Sequence, residues 1–146
     1  MNLREVEERL AYYRTTLGIR LIKTEKNSLQ SPVIEKIEKG ENYNLASLFR
    51  YIQAIGLELE INNTKVISTE ELGRFLKEKR EGAGQTFADI RWGTRRGYRE
   101  IVKIETGGGS RMNLWNYLNK LNYKIDFKLI DKYGIAKERD KDYKRG

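Results

Sequence analysis

One stretch decides how the fold is interpreted: Gly97-Tyr98-Arg99-Glu100-Ile101-Val102-Lys103-Ile104-Glu105-Thr106-Gly107. In a helix, Ile101 and Ile104 lie three positions apart and face inward together, whereas the tyrosine and the basic residues point elsewhere. Gly107 is the residue type that ends a helix in the left-handed conformation without a steric penalty. The stretch therefore predicts a short amphipathic helix that ends at this glycine.

The residues that lead into this helix are strongly basic. Residues 91–99 are Arg-Trp-Gly-Thr-Arg-Arg-Gly-Tyr-Arg, with four positive charges and no acid. A short helix with a positive, aromatic approach suggests an element that sits in a DNA groove. The rest of the chain has to support that interpretation.

The positive charge is concentrated in the second half of the chain. The 146 residues have a net charge of +8. Residues 1–67 contain 10 Lys/Arg and 9 Asp/Glu, whereas residues 68–146 contain 19 and 12. We therefore expect a polyanionic partner to meet the second half.

The composition excludes several classes of site. The chain has neither cysteine nor histidine, so it cannot form a Cys/His zinc site or a Ser-His or Cys-His nucleophile pair. No motif selects a pair of carboxylates for catalysis. No run approaches the roughly 20 apolar residues of a membrane span. We expect no enzymatic activity, no cofactor, no membrane partner and a cytoplasmic location.

Apolar spacing predicts a mainly α-helical first half. It indicates helices over residues 2–16, 20–27, 32–39 and 45–55, the third with Ser31 as its cap. The alternation from Leu57 to Ile61 predicts a half-buried strand. Asn62-Asn63 is a plausible turn into a second short strand over residues 64–67.

The second half repeats this order of elements. Ser68 and the acids after it open a helix that runs to about Glu81. A short helix is predicted over residues 86–92, before the amphipathic helix at 97–107. The spacing of Leu114, Leu118 and Leu121 indicates a fourth helix. Alternation from Tyr123 to Leu129 predicts a strand, and residues 131–146 form a charged tail.

The internal repeat is the strongest signal in the sequence. Ile37-Glu38-Lys39-Gly40 matches Ile104-Glu105-Thr106-Gly107, and the apolar run from Leu48 to Ile61 matches the run from Leu114 to Phe127. The alternative is that two amphipathic helical units share this spacing by chance. Several matches in register favour a true repeat.

The same repeat predicts two structural ion pairs. Arg14 lies 24 residues before Glu38, and Arg80 lies 25 residues before Glu105. A mostly buried Arg–Glu pair that ties the first helix of each half to its third helix explains both spacings.

Each half resembles the lambda-repressor-like (Cro/C1-type) helix-turn-helix domain, whose third helix reads the major groove and commonly ends in Ile-Glu-x-Gly. The resemblance covers roughly residues 3–56 and 70–122, and the strands are similar to those of antitoxin-type members, which pair into a small dimer sheet. The family usually has Ala in its second helix and Gly at the turn. This chain departs from that pattern, with Glu25 and Ser28 in the first half and Arg91 and Arg95 in the second.

The resemblance implies a fold of two tandem domains, each followed by a short β-strand, with the strands in a shared small sheet. The implied boundaries are a degenerate domain at 1–62, a linker or short strand at 63–67, a basic domain at 68–130 and the tail at 131–146. Two small domains of about 60 residues gain stability by packing together, which favours the shared sheet.

The resemblance also implies a set of DNA-contacting residues. Arg99 is placed to pair with guanine, and Tyr98 to stack or to hold a phosphate. Ser110 and Arg111 match the loop that usually holds phosphate. The expected contacts in the second half are Thr86, Arg95, Arg96, Tyr98, Arg99, Lys103, Ser110 and Arg111, and those in the first half are Lys23, Lys26, Ser28, Gln30, Ser31 and Lys36.

We therefore expect a sequence-specific double-stranded DNA-binding protein, a transcriptional regulator whose second domain supplies most of the affinity. Two alternatives stay open. One is an antitoxin-like module that binds a toxin partner as well as DNA. The other is a protein-interaction module that has kept the fold and lost DNA binding. The expected partners are double-stranded DNA and either a toxin or a second copy of the chain.

Overall fold

The computed structural model describes residues 1–17, 31–92 and 96–131. Within these ranges the chain forms seven helices and one three-stranded antiparallel sheet. The expectation of a mainly helical fold with a small sheet is confirmed. None of the helices in these ranges is long and apolar enough to cross a membrane.

The first half contains three described helices and two strands. The elements are α1 (Leu3–Leu17), α2 (Ser31–Lys39), α3 (Leu45–Ala54), β1 (Glu58–Ile61) and β2 (Thr64–Val66). Their bounds lie within one or two residues of the predicted ones. The helix predicted over residues 20–27 lies outside the described residues.

The second half contains four helices and one strand. The elements are α4 (Thr69–Gly82), α5 (Phe87–Ile90), α6 (Arg96–Glu105), α7 (Arg111–Lys120) and β3 (Phe127–Ile130). Helix α6 covers most of residues 97–107, the stretch predicted as a short amphipathic helix. Its confirmed inner face supplies Ile101 and Ile104 to the core, where both are essentially fully buried.

Helix α5 is shorter than the predicted helix over residues 86–92. Thr86 lies before the helix as its cap, and the side chains of Thr86 and Asp89 each accept a hydrogen bond from the backbone N–H of the other. The helix ends at Ile90 because Arg91 is extended, with ψ of 138°. Only one turn of helix therefore lies between the cap and residue 91.

The second-half strand is also shorter than predicted. The alternation from Tyr123 predicted a strand over its whole length, but β3 begins at Phe127. Before Phe127, the backbone of Lys124 and Asp126 is bonded to the side chain of Asn62. Its amide donates to the Lys124 carbonyl at 3.1 Å and accepts from the Asp126 N–H at 2.7 Å.

The sheet joins the two halves, as expected. Its strand order is β2-β1-β3, and β1 pairs antiparallel with both neighbours. Asn62 and Asn63 have φ values of 49° and 68°, which is the double positive-φ geometry of the tight turn that joins β1 to β2. Asparagine tolerates this conformation better than most residues, so the predicted turn is confirmed.

The loops after α2 and α6 form a second junction between the halves. The Leu45 N–H donates to the Gly109 carbonyl at 3.1 Å, and the Arg111 N–H donates to the Tyr43 carbonyl at 2.8 Å. Between these two bonds, Asn44 and Ser110 pair as an isolated antiparallel bridge. The helices α3 and α7 start side by side at this point.

One apolar core runs through both halves. It includes Leu10 and Ile52 from the first half, Leu76 and Leu114 from the second, and Ile61 and Phe127 from the sheet. Val66, which lies in the segment predicted as a linker, is buried in the same core. The core thus extends across the predicted boundary at 63–67.

Candidate nucleic-acid interface

Helix α6 has one buried and one exposed face. Tyr98 is 39% exposed and Val102 is 44% exposed, and Arg99 and Lys103 are exposed beside them. These side chains lie on the opposite side of the helix from its two core isoleucines, as a period of 3.6 residues requires. The exposed face therefore presents two cations, a phenol ring and a small apolar surface.

The first turn of α6 is held against the preceding residues at very short range. A Cβ atom on Gly97 would lie 2.5 Å from the Trp92 carbonyl oxygen and 2.7 Å from the Arg91 side chain. Only glycine permits this approach. The position of the basic helix relative to the residues before it is thereby fixed.

An aromatic and cationic cluster surrounds the same end of α6. The Phe87 and Tyr98 rings meet edge to face with centroids 6.2 Å apart, and the Arg91 guanidinium lies 5.2 Å from the centroid of the Tyr98 ring. The Arg80 guanidinium lies over the Phe87 ring at 4.6 Å. Contacts of this kind limit the freedom of Tyr98 and Arg91 at the surface.

A buried ion pair fixes the other end of α6. Arg80 on α4 donates to Glu105 through Nε at 2.7 Å and Nη2 at 3.0 Å, and the Tyr117 hydroxyl donates to the same carboxylate at 2.7 Å. The hydrogen bond to Glu105 raises the pKa of Arg80. Burial, and then the bond to Glu105, raise the pKa of the Tyr117 hydroxyl. The predicted Arg80–Glu105 pair is present, with two charge-assisted hydrogen bonds.

The first half contains the same arrangement. Arg14 donates two hydrogen bonds to Glu38, one of them at 2.9 Å, and the Tyr51 hydroxyl also donates to Glu38. Burial alone raises the pKa of Glu38, but the bonds from Arg14 and Tyr51 outweigh it, so the pKa is lowered. The spacing of arginine and glutamate predicted both pairs, whereas the role of the tyrosines was missed.

Gly73 is a further positioning residue that sequence reasoning missed. A Cβ atom here would lie 2.5 Å from the Ile104 carbonyl oxygen and 2.6 Å from that of Glu105. The backbones of α4 and α6 therefore touch at this point. The available signal was a glycine inside a helix, where it costs about 1 kcal/mol relative to alanine and needs a packing reason.

The acids near the exposed face of α6 already have partners. The Glu100 carboxylate accepts a hydrogen bond from the Asn113 side chain at 2.7 Å and lies 3.7 Å from the Lys103 ammonium. The Asp89 carboxylate accepts from the backbone and hydroxyl of Thr86, and these bonds lower the Asp89 pKa. The Thr86 hydroxyl is thus already bonded to a carboxylate, 3.0 Å away.

Arg111 lies at the junction of the halves, where it is paired with an acid. Its guanidinium donates twice to the fully buried Glu7 carboxylate, each time at 3.1 Å. The Tyr43 hydroxyl donates to the same carboxylate at 2.6 Å. Ser110 caps α7, because its hydroxyl accepts from the Asn113 N–H. Arg111 and Ser110 thus have contacts within the protein at this junction, and their expected contacts with phosphate remain predictions.

The remaining expected contacts are only partly described. Lys36 is exposed on α2. Ser31 and Arg96 lie in helices, but their side chains are outside the described residues. Five more expected contacts fall outside the described ranges, namely Lys23, Lys26, Ser28, Gln30 and Arg95.

Within the described ranges, no group of three acidic side chains could hold a metal ion. Comparison with protein-family models, curated proteins and solved structures finds no match to this chain.

Proposed function

We propose that the chain binds double-stranded DNA sequence-specifically and regulates transcription, with the exposed face of α6 in the major groove. One observation carries the proposal. Arg99, Lys103 and Tyr98 share the solvent-facing side of a helix whose opposite side is locked into the core. Rigid presentation of a few side chains is what direct readout of base edges requires.

The dimensions and chemistry of α6 suit such a role. A ten-residue helix is about 15 Å long, and the B-DNA major groove admits an α-helix. Arg99 can pair with the O6 and N7 acceptors of guanine, and Lys103 can neutralise a phosphate. Because Glu100 is bonded to Asn113, its charge is held beside the helix α7 and not toward the ligand.

The equivalent contacts in the two halves support tandem helix-turn-helix domains of the lambda-repressor-like kind. The set Arg14–Glu38–Tyr51 is repeated by Arg80–Glu105–Tyr117, and both tyrosines also donate to a carbonyl of the first helix of their half, at 3.2 Å. On this proposal α2 and α6 are the two recognition helices. The second half provides more of the affinity because it carries more of the charge.

The test is a titration of the full chain against a pool of random duplexes, with retained sequences selected and then bound individually. The Arg99→Ala variant should lose about tenfold in affinity for the selected site, since a bidentate pair with guanine contributes about 1–3 kcal/mol of discrimination. The control is Arg50→Ala, which removes an exposed arginine from α3. Equal affinity of the Arg99→Ala variant and the unmodified chain would refute the proposal.

A second candidate function is recognition of a protein by the same face of α6. The exposure of Val102 and Tyr98 favours it, because exposed apolar side chains that cluster together are typical of protein contacts. This candidate predicts no salt-dependent binding to any duplex. A salt titration therefore separates the two, since each neutralised phosphate adds close to one unit to the slope of log K against log salt.

A further inference from the structure

The structure contains two grooves at equivalent positions of the repeat. The first groove lies between α3 and the β1–β2 hairpin and has a volume of about 280 Å³. The second groove lies between α7 and residues 123–127 and has a volume of about 430 Å³. Four apolar residues that line the first groove have counterparts 66 positions later in the second: Phe49 and Trp115, Ile52 and Leu118, Leu57 and Tyr123, Leu59 and Ile125.

The first groove is bordered by a strand of its own half. Val66 of β2 pairs with Leu59, and the Lys65 ammonium lies 3.0 Å from the Glu58 carboxylate. Just beyond β2, the Ile67 carbonyl accepts from the Gln53 side chain at 3.1 Å. The chain itself thus supplies an extended segment along this groove.

Within residues 68–92 and 96–131, the second half does not supply the equivalent segment. The turn residues Asn62-Asn63 correspond to Lys128-Leu129, which lie in β3 and continue straight along β1. Among the described residues, no group bonds to the backbone N–H or carbonyl of Ile125, the counterpart of Leu59. Met1 pairs with Phe127 through both backbone groups, and Asn2 and Leu3 line the groove where the chain enters α1. As far as the described residues show, the backbone edge at Ile125 has no partner strand.

One charge at the second groove is reversed relative to the first, whereas Asp126 keeps the acid of its counterpart Glu60, which lies opposite Lys65 of β2. The position of Glu58 in the first groove is held by Lys124 in the second, and Lys120 and Lys128 are also exposed nearby. The Lys79 ammonium lies 5.0 Å from the centroid of the Tyr123 ring. The Asp126 carboxylate is bonded to the N-terminal ammonium. A segment that lies along the second groove as β2 lies along the first should therefore carry a carboxylate at the position of Lys65.

We propose that the second groove binds an extended segment of a partner protein that adds as a strand at Ile125 and presents an acid to Lys124 and an aliphatic side chain to the groove. Strand addition supplies main-chain hydrogen bonds, and alternate side chains supply specificity. Residues 132–146 of the chain itself carry six Lys/Arg and three Asp/Glu, so their charge opposes binding among these lysines. This inference does not depend on DNA binding.

The probe is a pair of blocked peptides with the sequences Glu-Val-Ile-Ser and Lys-Val-Ile-Ser, titrated into the ¹⁵N-labelled full chain and followed by NMR. They place valine opposite Ile125 and lack the residue that would meet Phe127, where Met1 already pairs. The acidic peptide should shift the amide signals of Tyr123, Ile125 and Leu118 and should bind at least about threefold more tightly than the basic one, as a single exposed ion pair allows. The Lys124→Glu variant should reverse this preference. The control is Lys36→Glu, an equal charge change on α2, which should leave the preference intact.

Three outcomes would overturn the inference. The first is the absence of peptide-dependent shifts at Ile125, or equal binding of both peptides. The second is a concentration-dependent shift of the same signals without peptide, which would identify a second copy as the occupant. The third is a nuclear Overhauser contact between residues 132–146 and Trp115 in the peptide-free chain, which would identify the tail.

Discussion

Asn44 and Ser110 cap equivalent helices 66 positions apart and pair directly with each other. Ile61 and Phe127 are separated by the same 66 positions and also pair with each other, in the β1–β3 ladder. In an antiparallel contact, a residue meets its own counterpart only where a local two-fold axis passes through the pair. The halves of this chain therefore contact each other at two points in the manner of a symmetric dimer.

The chemistry at the first of these points is not symmetric. Glu7 is fully buried there and accepts bonds from Arg111 and Tyr43. Gly73 and Gly109 occupy the positions equivalent to Glu7 and Tyr43. At a symmetric interface, each half would contribute one carboxylate and one phenol. Here the first half contributes both groups, and the second half has glycine at both positions. The arrangement suits one chain and avoids two buried carboxylates facing each other.

We predict that the Glu7→Ala substitution lowers the free energy of unfolding by about 3 kcal/mol, because it leaves the Arg111 guanidinium without its buried partner. Urea denaturation followed by circular dichroism measures this change. The control is Glu8→Ala, which removes a 61% exposed side chain that pairs with Arg4 at 3.5 Å and should cost less than about 1 kcal/mol. Similar losses for both variants would contradict a structural role for the Glu7–Arg111 pair.

The Gly73→Ala substitution should destabilise the protein by about 2 kcal/mol, even though alanine is the better helix former. The added Cβ atom would lie 2.5 Å from the Ile104 carbonyl oxygen, so α4 and α6 would have to separate. The matched control is Gly82→Ala on the same helix, where no atom lies within 4 Å of the new Cβ. That change should be neutral or stabilising by up to about 1 kcal/mol. Thermal unfolding of both variants measures the difference, and a stabilised Gly73→Ala variant would show that the backbones are not in contact.

The contacts of Glu38 predict a loss of stability in acid. Because the folded pKa lies below the ordinary value of 4.5, the unfolded state binds more protons as the pH falls below about 4.5. The stabilisation is therefore fully present above that pH and is lost as the pH falls through the folded pKa. Glu38→Gln should be less stable than the unmodified chain at pH 7 and should lose less between pH 5 and pH 3.

Urea titrations at these pH values measure the effect, with Glu35→Gln on the exposed side of α2 as the control. The control should keep the steep acid dependence of the unmodified chain. If Glu38→Gln kept it as well, another carboxylate would be responsible for the acid sensitivity.

Local pattern was sufficient to predict most of the fold. The spacing of Ile101 and Ile104 defined the inner face of α6, and the Asn62-Asn63 turn followed from the conformational preference of asparagine. The Arg–Glu pairs were predictable because the repeat gives nearly the same interval twice, 24 residues in the first half and 25 in the second. The contact of Arg111 with Glu7 was missed because the two residues lie 104 positions apart, and nothing in the local sequence indicates that contact. Gly73 was missed because its neighbour across the helix interface is backbone, which has no sequence signature.

The two halves should contribute unequally to the affinity for DNA. Lys36 on α2 and Lys103 on α6 occupy matching positions in the repeat and are both exposed, so one charge change can be compared at two equivalent places. Lys103→Glu should weaken binding to a selected duplex by more than about tenfold and lower the salt slope, because α6 carries Arg99 beside it and the second half is the basic one. Lys36→Glu should cost less than about threefold, since Glu35 already repels phosphate beside it. Both variants should unfold at the same temperature as the unmodified chain, which restricts the comparison to binding. Equal losses at the two positions would mean that α2 contacts DNA as closely as α6, and the two-fold relation of the halves would then extend to their ligand.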